Sequence, residues 1–554
     1  RQRSGTPDGG NAGKRYSEPI DTGVNSMSSL DADQYSERDK KEDVHILHSM
    51  GYAQELERRM SRFSNFAISF SIICILSGGI NSLAQATSGA GGAAIGYGWP
   101  LGCLISGVFA LAMAQIASAY PTAGGLYHWG SILGNRFTGW VTAWLNLLGL
   151  VTVLGAINTG TWGFFAGSIA PWFDIATDTT TSAGFRNQIV FVAAITFVQA
   201  LINHFGIRLT AKLTDFSGYL IFATAIVLTV VLLFGVKTWD FQRLFTFTNY
   251  SGLPEGDAPI WPKGDNIWYI FALGLLLPIY TITGYDASAH TSEETQKAAH
   301  SVPAGIVSSV WWSFLFGYLM LCAFVLAIPD MNEAAKQGWN VFFWTMDSAT
   351  HPKVAQALYI AIFVAQFLCG LATVTSVSRM IFAFARDGGL PASGLLSKVS
   401  PAHRTPVAAI WTGSTLAVLF VWGASLVTIA GSSAYTIVVS CTVIFLFISF
   451  TIPIALGMLV YGTSKWPKPG PWNMGGFLFR IVAFLSVVAM VAIFLIGIQP
   501  PNDWALYITV GFLVLTAIVW IAFENKRFQG PPIGDMIAKR QRDIREAEKA
   551  VGEI

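Results

Sequence analysis

Apolar runs of 18 or more residues recur along this chain, and no other feature narrows its fold so far. Twelve can be marked, at about 66–88, 97–119, 138–165, 188–206, 215–236, 267–289, 304–328, 353–383, 406–429, 433–461, 480–499 and 504–523. At about 1.5 Å of rise per residue, each is long enough as a helix to cross roughly 30 Å of hydrocarbon. The expected fold class is an all-α membrane protein with twelve transmembrane helices. Composition agrees: 53% of the 554 residues are hydrophobic and only 12% are charged, about half the charged share of an ordinary soluble protein. Lys and Arg number 34 against 32 Asp and Glu, a net charge of +2, which gives no reason to expect a nucleic-acid partner. A soluble enzyme and a disordered scaffold are excluded on the same grounds.

The runs divide the chain into three regions. Residues 1–62 read as a mostly disordered cytoplasmic tail, because the stretch up to about Asp43 is too polar to bury much surface. A short juxtamembrane helix is expected over 46–66. Residues 63–525 form the twelve-helix domain, and 526–554 read as a solvated, charged C-terminal tail. With a polar stretch before it, the first apolar run reads as a spanning helix and not as a removed signal. Lys and Arg cluster in both tails and in the short loops carrying Arg136, Arg208, Lys212, Lys297, Arg386 and Arg404. By the positive-inside bias both termini are therefore expected in the cytoplasm. Asn249-Tyr250-Ser251, a glycosylation sequon, falls in an external loop of that topology.

Two runs contain helix breakers where hydrocarbon tolerates none without a cavity, a neighbouring helix or a ligand. The first reads Ile75-Leu76-Ser77-Gly78-Gly79-Ile80-Asn81-Ser82, and the sixth Leu277-Pro278-Ile279-Tyr280-Thr281-Ile282-Thr283-Gly284-Tyr285-Asp286. They lie five helices apart, the pattern of an inverted five-plus-five repeat with a binding site at the midplane. Where a helix unwinds, N–H groups at the start of the next half-helix lose their partners and favour an anion such as a carboxylate. Gly78-Gly79 can equally permit close helix packing. Asp286 is the only acidic residue well inside a run, and can bind a proton, pair with an amine or cap the break. The Tyr280 ring can face an ammonium group or simply pack.

Weaker candidates surround these. Asn146, Asn158 and Gln366 are amides that can line a cavity or bond across helices. Thr373, Thr375, Ser376 and Ser378 can ligate sodium or bond back to their own helix. Gly89–Gly98 is expected outside the membrane, with no Gly-Lys-Ser/Thr following to make a phosphate loop. The five cysteines are scattered within apolar runs without metal-ligand spacing. No histidine is expected in a span interior, which argues against embedded enzymatic or metal chemistry.

Four stretches carry a family resemblance. Pro121-Thr122-Ala123-Gly124-Gly125-Leu126-Tyr127 resembles the P-T-x-G-G-x-Y signature of the amino acid–polyamine–organocation transporters. Gly284-Tyr285-Asp286-Ala287-Ser288-Ala289-His290 with Ser292-Glu293-Glu294-Thr295 is similar to their sixth-span signature, especially in the amino acid/choline branch with its fungal GABA and choline permeases. Ser378-Arg379-Met380 with Ala385-Arg386-Asp387-Gly388-Gly389-Leu390-Pro391 resembles that branch after span eight, and Gly51-Tyr52-x-x-Glu55-Leu56 before span one. The resemblance covers roughly residues 46–525.

It implies the inverted-repeat fold with two additional C-terminal helices, and secondary active transport of amino acids or related amines. The family's carboxylate-binding backbone falls on Ser77, Gly78, Gly79, Ile80 and Asn81. Its sixth-span substrate surface falls on Tyr280, Thr281, Ile282, Thr283 and Gly284, and its buried acidic position on Asp286. Gln115 stands where relatives often carry Glu, and no basic residue occurs from Asp215 to Gly235, where many proton-coupled relatives have one. The expectation is a twelve-span importer of a small zwitterion, GABA or another amino acid, coupled to protons rather than sodium and needing no cofactor. The plasma membrane is its expected site, ahead of a vacuolar or other internal membrane. The alternatives are a choline or polyamine carrier, or a nutrient receptor that signals without transport.

Overall fold

The computed structural model describes residues 35–256, 259–426, 434–500, 502–532 and 535–552. Among these residues eleven helices are long and apolar enough to cross a membrane. Spans one to five are Arg62–Asn81, Ala93–Ala119, Arg136–Ser168, Ser182–His204 and Ile207–Phe234. Spans seven to twelve are Ala298–Ala327, Pro352–Arg386, Val407–Leu426, Tyr435–Val460, Gly476–Gly497 and Trp504–Arg527. Span six is the twelfth, and its continuous apolar helix, Ile267–Thr281, is short because the chain breaks there before resuming at Ala287–His290. The described backbone is otherwise loops and short helices, with only two isolated bridges. This is the expected all-α membrane architecture.

Burial sorts the spans. The apolar window of span one is 94% buried, that of span twelve 11%, so span one is a central element and span twelve lies at the rim facing lipid. Span three packs against spans eight, nine and ten, and span seven against one, two and five. Spans eleven and twelve both lean on span ten, as two helices added to a ten-helix repeat must. Close approaches rest on small residues. A methyl on Gly102 would collide with the Pro278 ring, and one on Gly317 with the Trp99 ring.

Two expectations need correction, and a third gains its structural setting. Residues 1–34, most of the expected tail, lie outside the described residues, but order begins before Asp43. Helix Glu37–Ser49 is closed by a Ser36/Asp39 capping box. Its buried Asp43 carboxylate accepts from the Lys297 and Ala298 N–H groups, 2.8 and 3.0 Å away, at the start of span seven. Polar composition here serves a tertiary cap, not solvation. Gly89–Gly98 is largely buried, because residues 243–250 pack onto it so closely that a methyl on Gly92 would meet the Arg243 carbonyl. Span five starts at Ile207, which puts Arg208 and Lys212 on its first turns, with Lys212 exposed.

Gly102→Val should lower thermal stability by about 1–3 kcal/mol, the usual cost of overpacking a tight contact. Thermal unfolding of the purified protein checks it, and an unchanged midpoint would mean spans two and six are not held at this distance.

Candidate functional site

The two breaks face each other at the centre of the molecule. The helix of span one runs from Arg62 to Ile73 and ends at Cys74, whose φ of 28° turns the chain out of helical geometry. It resumes as one turn, Gly78–Asn81. In span six the helix Leu276–Thr281 gives way to an extended stretch, and Gly284 takes a φ of 93° that favours glycine. A methyl on Gly78 would lie 2.9 Å from Thr281 Cα. Only glycine lets the two broken segments approach so closely.

Neighbouring side chains satisfy part of the interrupted backbone. The Gln366 amide of span eight donates to the Leu76 carbonyl at 3.0 Å and faces the Asn81 amide at 3.4 Å. The Cys369 thiol donates to the Ile72 carbonyl at 3.2 Å. Ser69 accepts from Ser288 N–H and donates to the Tyr285 carbonyl, stitching span one to the resumed half of span six. Among the described residues, the N–H groups of Gly79, Ile80, Thr283 and Gly284 have no acceptor. Buried amides left in this condition are costly, and they suit an incoming acceptor such as a carboxylate.

The residues singled out from sequence separate into groups. Ser77, Gly78, Tyr280, Thr281 and Thr283 gather around one void with Val153 and Ile157. The void measures about 10 Å³, room for about one water. Ile80 and Asn81 instead line a neighbouring cavity of about 380 Å³, with Trp162, Trp339 and Tyr435. Gly79 faces Met320 of span seven, and Gly284 packs under Ile72. Ile282 is fully buried and lines neither space. The hydroxyls of span eight go largely to structure: Thr373 and Ser378 bond back to their own helix and Thr375 reaches Asn203.

Tyr435 was not legible in the sequence. Its ring stands edge-on to Tyr280 at 6.5 Å and to Trp339 at 5.8 Å, and its hydroxyl pairs with Ser82 at 3.1 Å. An aromatic near the start of an apolar run reads as packing, and no local signal marks it. The large cavity extends from here to the exposed residues Trp339 and Thr179, on the face opposite the described termini.

Towards the termini the molecule is sealed. Arg379 holds Glu294 with two bonds of 2.7 and 3.0 Å, and Arg386 holds Glu293 at 2.8 and 3.0 Å. Both carboxylates are fully buried. The Ala123 N–H adds a bond to Glu293 at 3.1 Å. Tyr52 and Tyr127 donate to Asp387 at 2.7 and 3.0 Å, and Arg404 caps the carbonyls of Gln54, Glu55 and Leu56. Burial lifts the Asp387 carboxyl above the usual carboxylate range, against the pull of Arg386. Burial, with Arg386 second, presses the His128 imidazole down to about 3, so it stays neutral and bonds Thr122.

Asp286 lies between void and seal. It is fully buried, with the Asn146 amide 3.3 Å and His290 Nε2 3.4 Å from Oδ2. The expectation that no histidine enters the interior is thereby corrected, since His290 is fully buried just past the break. One helical turn from Asp286, it stood at the very edge of the apolar run.

Comparison with known proteins agrees with this architecture. The profile of a family described as amino acid permease matches residues 60–523. The amino-acid permease BAT1 of Arabidopsis thaliana is 31% identical over 509 residues, covering 88% of this chain and 95% of that protein. Amino-acid permease 2 of Neurospora crassa is 27% identical over 88% of each chain. The GABA-specific permease of Saccharomyces cerevisiae is 26% identical, over 88% of this chain and 86% of its own.

Two substitutions test the geometry. Gly78→Val should force the breaks apart and abolish ligand uptake in protein that still purifies as a single species. Gln366→Leu strips the Leu76 carbonyl of its partner and should cost about 1–3 kcal/mol in thermal stability. Wild-type behaviour in either would show that the broken segments are not in contact as described.

Proposed function

The chain belongs to the amino acid permease family, within the amino acid–polyamine–organocation superfamily, and on that premise we propose that it imports a small amino acid, GABA first among them, by proton symport. As a member it is a multi-pass transporter and not an enzyme. The observation that carries the finer reading is the pair of opposed breaks, with unpartnered N–H groups at Gly79 and Ile80, Tyr280 at the void between the breaks and the buried carboxylate of Asp286 on the same span.

The substrate carboxylate takes the amides of span one, where Ser77, Gly78, Gly79, Ile80 and Asn81 lie, and the unwound backbone of span six at Thr281, Ile282, Thr283 and Gly284. Its ammonium group meets the faces of Tyr280 and Tyr435. Asp286 takes the coupling proton. The void at the breaks is far smaller than an amino acid, so substrate entering through the 380 Å³ cavity must part Tyr280 from Tyr435. Release at the termini face then requires the Arg379–Glu294 and Arg386–Glu293 pairs to separate. With both termini cytoplasmic, and the plasma membrane as the site, this direction is import. The support for GABA is the name of the yeast relative together with a site built for both a carboxylate and an amine.

A choline or polyamine carrier would leave the free amides of Gly79 and Ile80 unused, so competition by carboxylate-bearing over carboxylate-lacking amines favours the amino acid reading. The decisive experiment is uptake of labelled GABA into proteoliposomes under an imposed proton gradient without sodium. Accumulation that collapses with a protonophore supports symport, and Asp286→Asn should abolish it while the protein stays folded. Accumulation in that variant equal to wild type would remove Asp286 from coupling, and sodium-dependent uptake would replace the proton.

A further inference from the structure

Asp286 and His290 are a buried pair with an unusual set of contacts. Both side chains are fully buried, and His290 Nε2 lies 3.4 Å from Asp286 Oδ2, within reach of an ion pair but beyond a good hydrogen bond. His290 Nδ1 lies 3.1 Å from the Ala123 carbonyl. A carbonyl only accepts, so Nδ1 carries a hydrogen and the neutral ring turns a bare Nε2 to the carboxylate. Among the described residues neither His290 Nε2 nor Asp286 Oδ1 has a hydrogen-bond partner. A carboxylate facing a bare ring nitrogen repels it, and one added proton turns that repulsion into a hydrogen bond.

We propose that the transported proton is shared between Asp286 and His290, and that His290 is the member linking its presence to the seal at the termini face. This rests on the reading that transport is proton-coupled. The pair gains one proton, held either as a carboxylic acid donating to Nε2 or as a carboxylate facing an imidazolium. It returns that proton to water when the loop at Ala123 parts from the ring.

The link to the seal is one residue long. Ala123 accepts from His290 through its carbonyl and donates to Glu293 through its N–H, and Glu293 is clamped by Arg386. The loop makes its turn beside the His290 ring at Gly125, whose φ of 44° favours glycine. With the proton in place the pair holds the resumed half of span six against the loop. Without it, the bare Nε2 and the carboxylate repel each other, and the pair no longer draws the resumed half of span six onto the loop.

The surroundings leave these two groups as the proton's holders. From span eight come Arg379 and Arg386, engaged by Glu294 and Glu293. From the loop helix comes His128, bonded to Thr122. Span three offers Asn146, span ten Ser449, and span one Asn65 and Ser69, none of which titrates. Tyr285 precedes Asp286 on the same segment with its hydroxyl unpartnered.

The test uses the full chain in proteoliposomes with labelled GABA. His290→Gln keeps an amide that can bond the Ala123 carbonyl but cannot hold the proton. Gradient-driven accumulation should be lost, while exchange of labelled for unlabelled substrate, which moves no net proton, still proceeds. The pH dependence of uptake should flatten with it. Wild-type accumulation and pH profile in His290→Gln would overturn the shared site and leave Asp286 alone as carrier. Failure of wild-type protein to respond to a proton gradient would instead overturn the symport reading itself. Should His290→Gln not fold, difference infrared titration of the wild-type protein decides. Carboxyl and imidazole signals changing in a single step support the pair, and a carboxyl step with the imidazole silent overturns it.

Discussion

The structure depends on one constraint: two helices are interrupted where there is no water to satisfy the interruption. Each freed backbone group either finds a neighbour or remains a standing cost. Span eight answers part of it, with Gln366 on the Leu76 carbonyl and the Cys369 thiol on that of Ile72. Ser69 and Asn65 of span one answer more, reaching across to the Ser288 and Tyr285 backbone. Among the groups that stay without a partner are the N–H groups of Gly79, Ile80, Thr283 and Gly284. The surrounding helices thus tie down part of each break and leave N–H groups suited to an incoming acceptor.

The second organising element is the placement of charge. A chain with 12% charged residues concentrates its buried ones at the end of the bundle nearest the termini. Glu293 and Glu294 are neighbours just beyond span six, and their partners Arg386 and Arg379 lie seven residues apart, two turns along one face of span eight. Buried pairs of this kind add little net stability when formed but cost much when half broken. They therefore suit an all-or-none contact between two elements. The helix Gln541–Val551 joins this end through Glu548, which bonds His48 and the Gln54 N–H at 2.6 and 3.0 Å. A segment that reads as a solvated tail is part of the closure.

Much of the architecture was legible residue by residue. Apolar run length located all twelve spans, most of their ends falling within a few residues, because hydrocarbon thickness leaves an apolar helix little freedom in length. The breaks were legible because Gly78-Gly79, and Pro278 with Gly284, are poor helix formers crowded into two apolar runs, although the chain leaves helical geometry beside them, at Cys74 and after Thr281. The resemblance at Pro121–Tyr127 and at Gly284–Thr295 pointed to the family that the match over residues 60–523 supplies. Less legible were residues whose role is set by a distant partner. Tyr435 reads as packing until Tyr280 and Trp339 are seen beside it, and His290 reads as the edge of a loop until Ala123 closes over it. Asp43 reads as tail because the N–H groups it caps are more than 250 residues away.

The sequence by itself determined the class of the protein, the number of its spans, the two places where helices must break and the family it belongs to. These follow from local chemistry: apolar length, helix-breaking residues and short signatures are properties of neighbours along the chain. Only the tertiary structure decided which broken segments touch, which freed carbonyls are satisfied and by whom, and which face is sealed. It also decided that a histidine stands 3.4 Å from the one buried span-six carboxylate. These are matters of distance between residues far apart in sequence, and they are set by the packing of whole helices rather than by any run of residues within one.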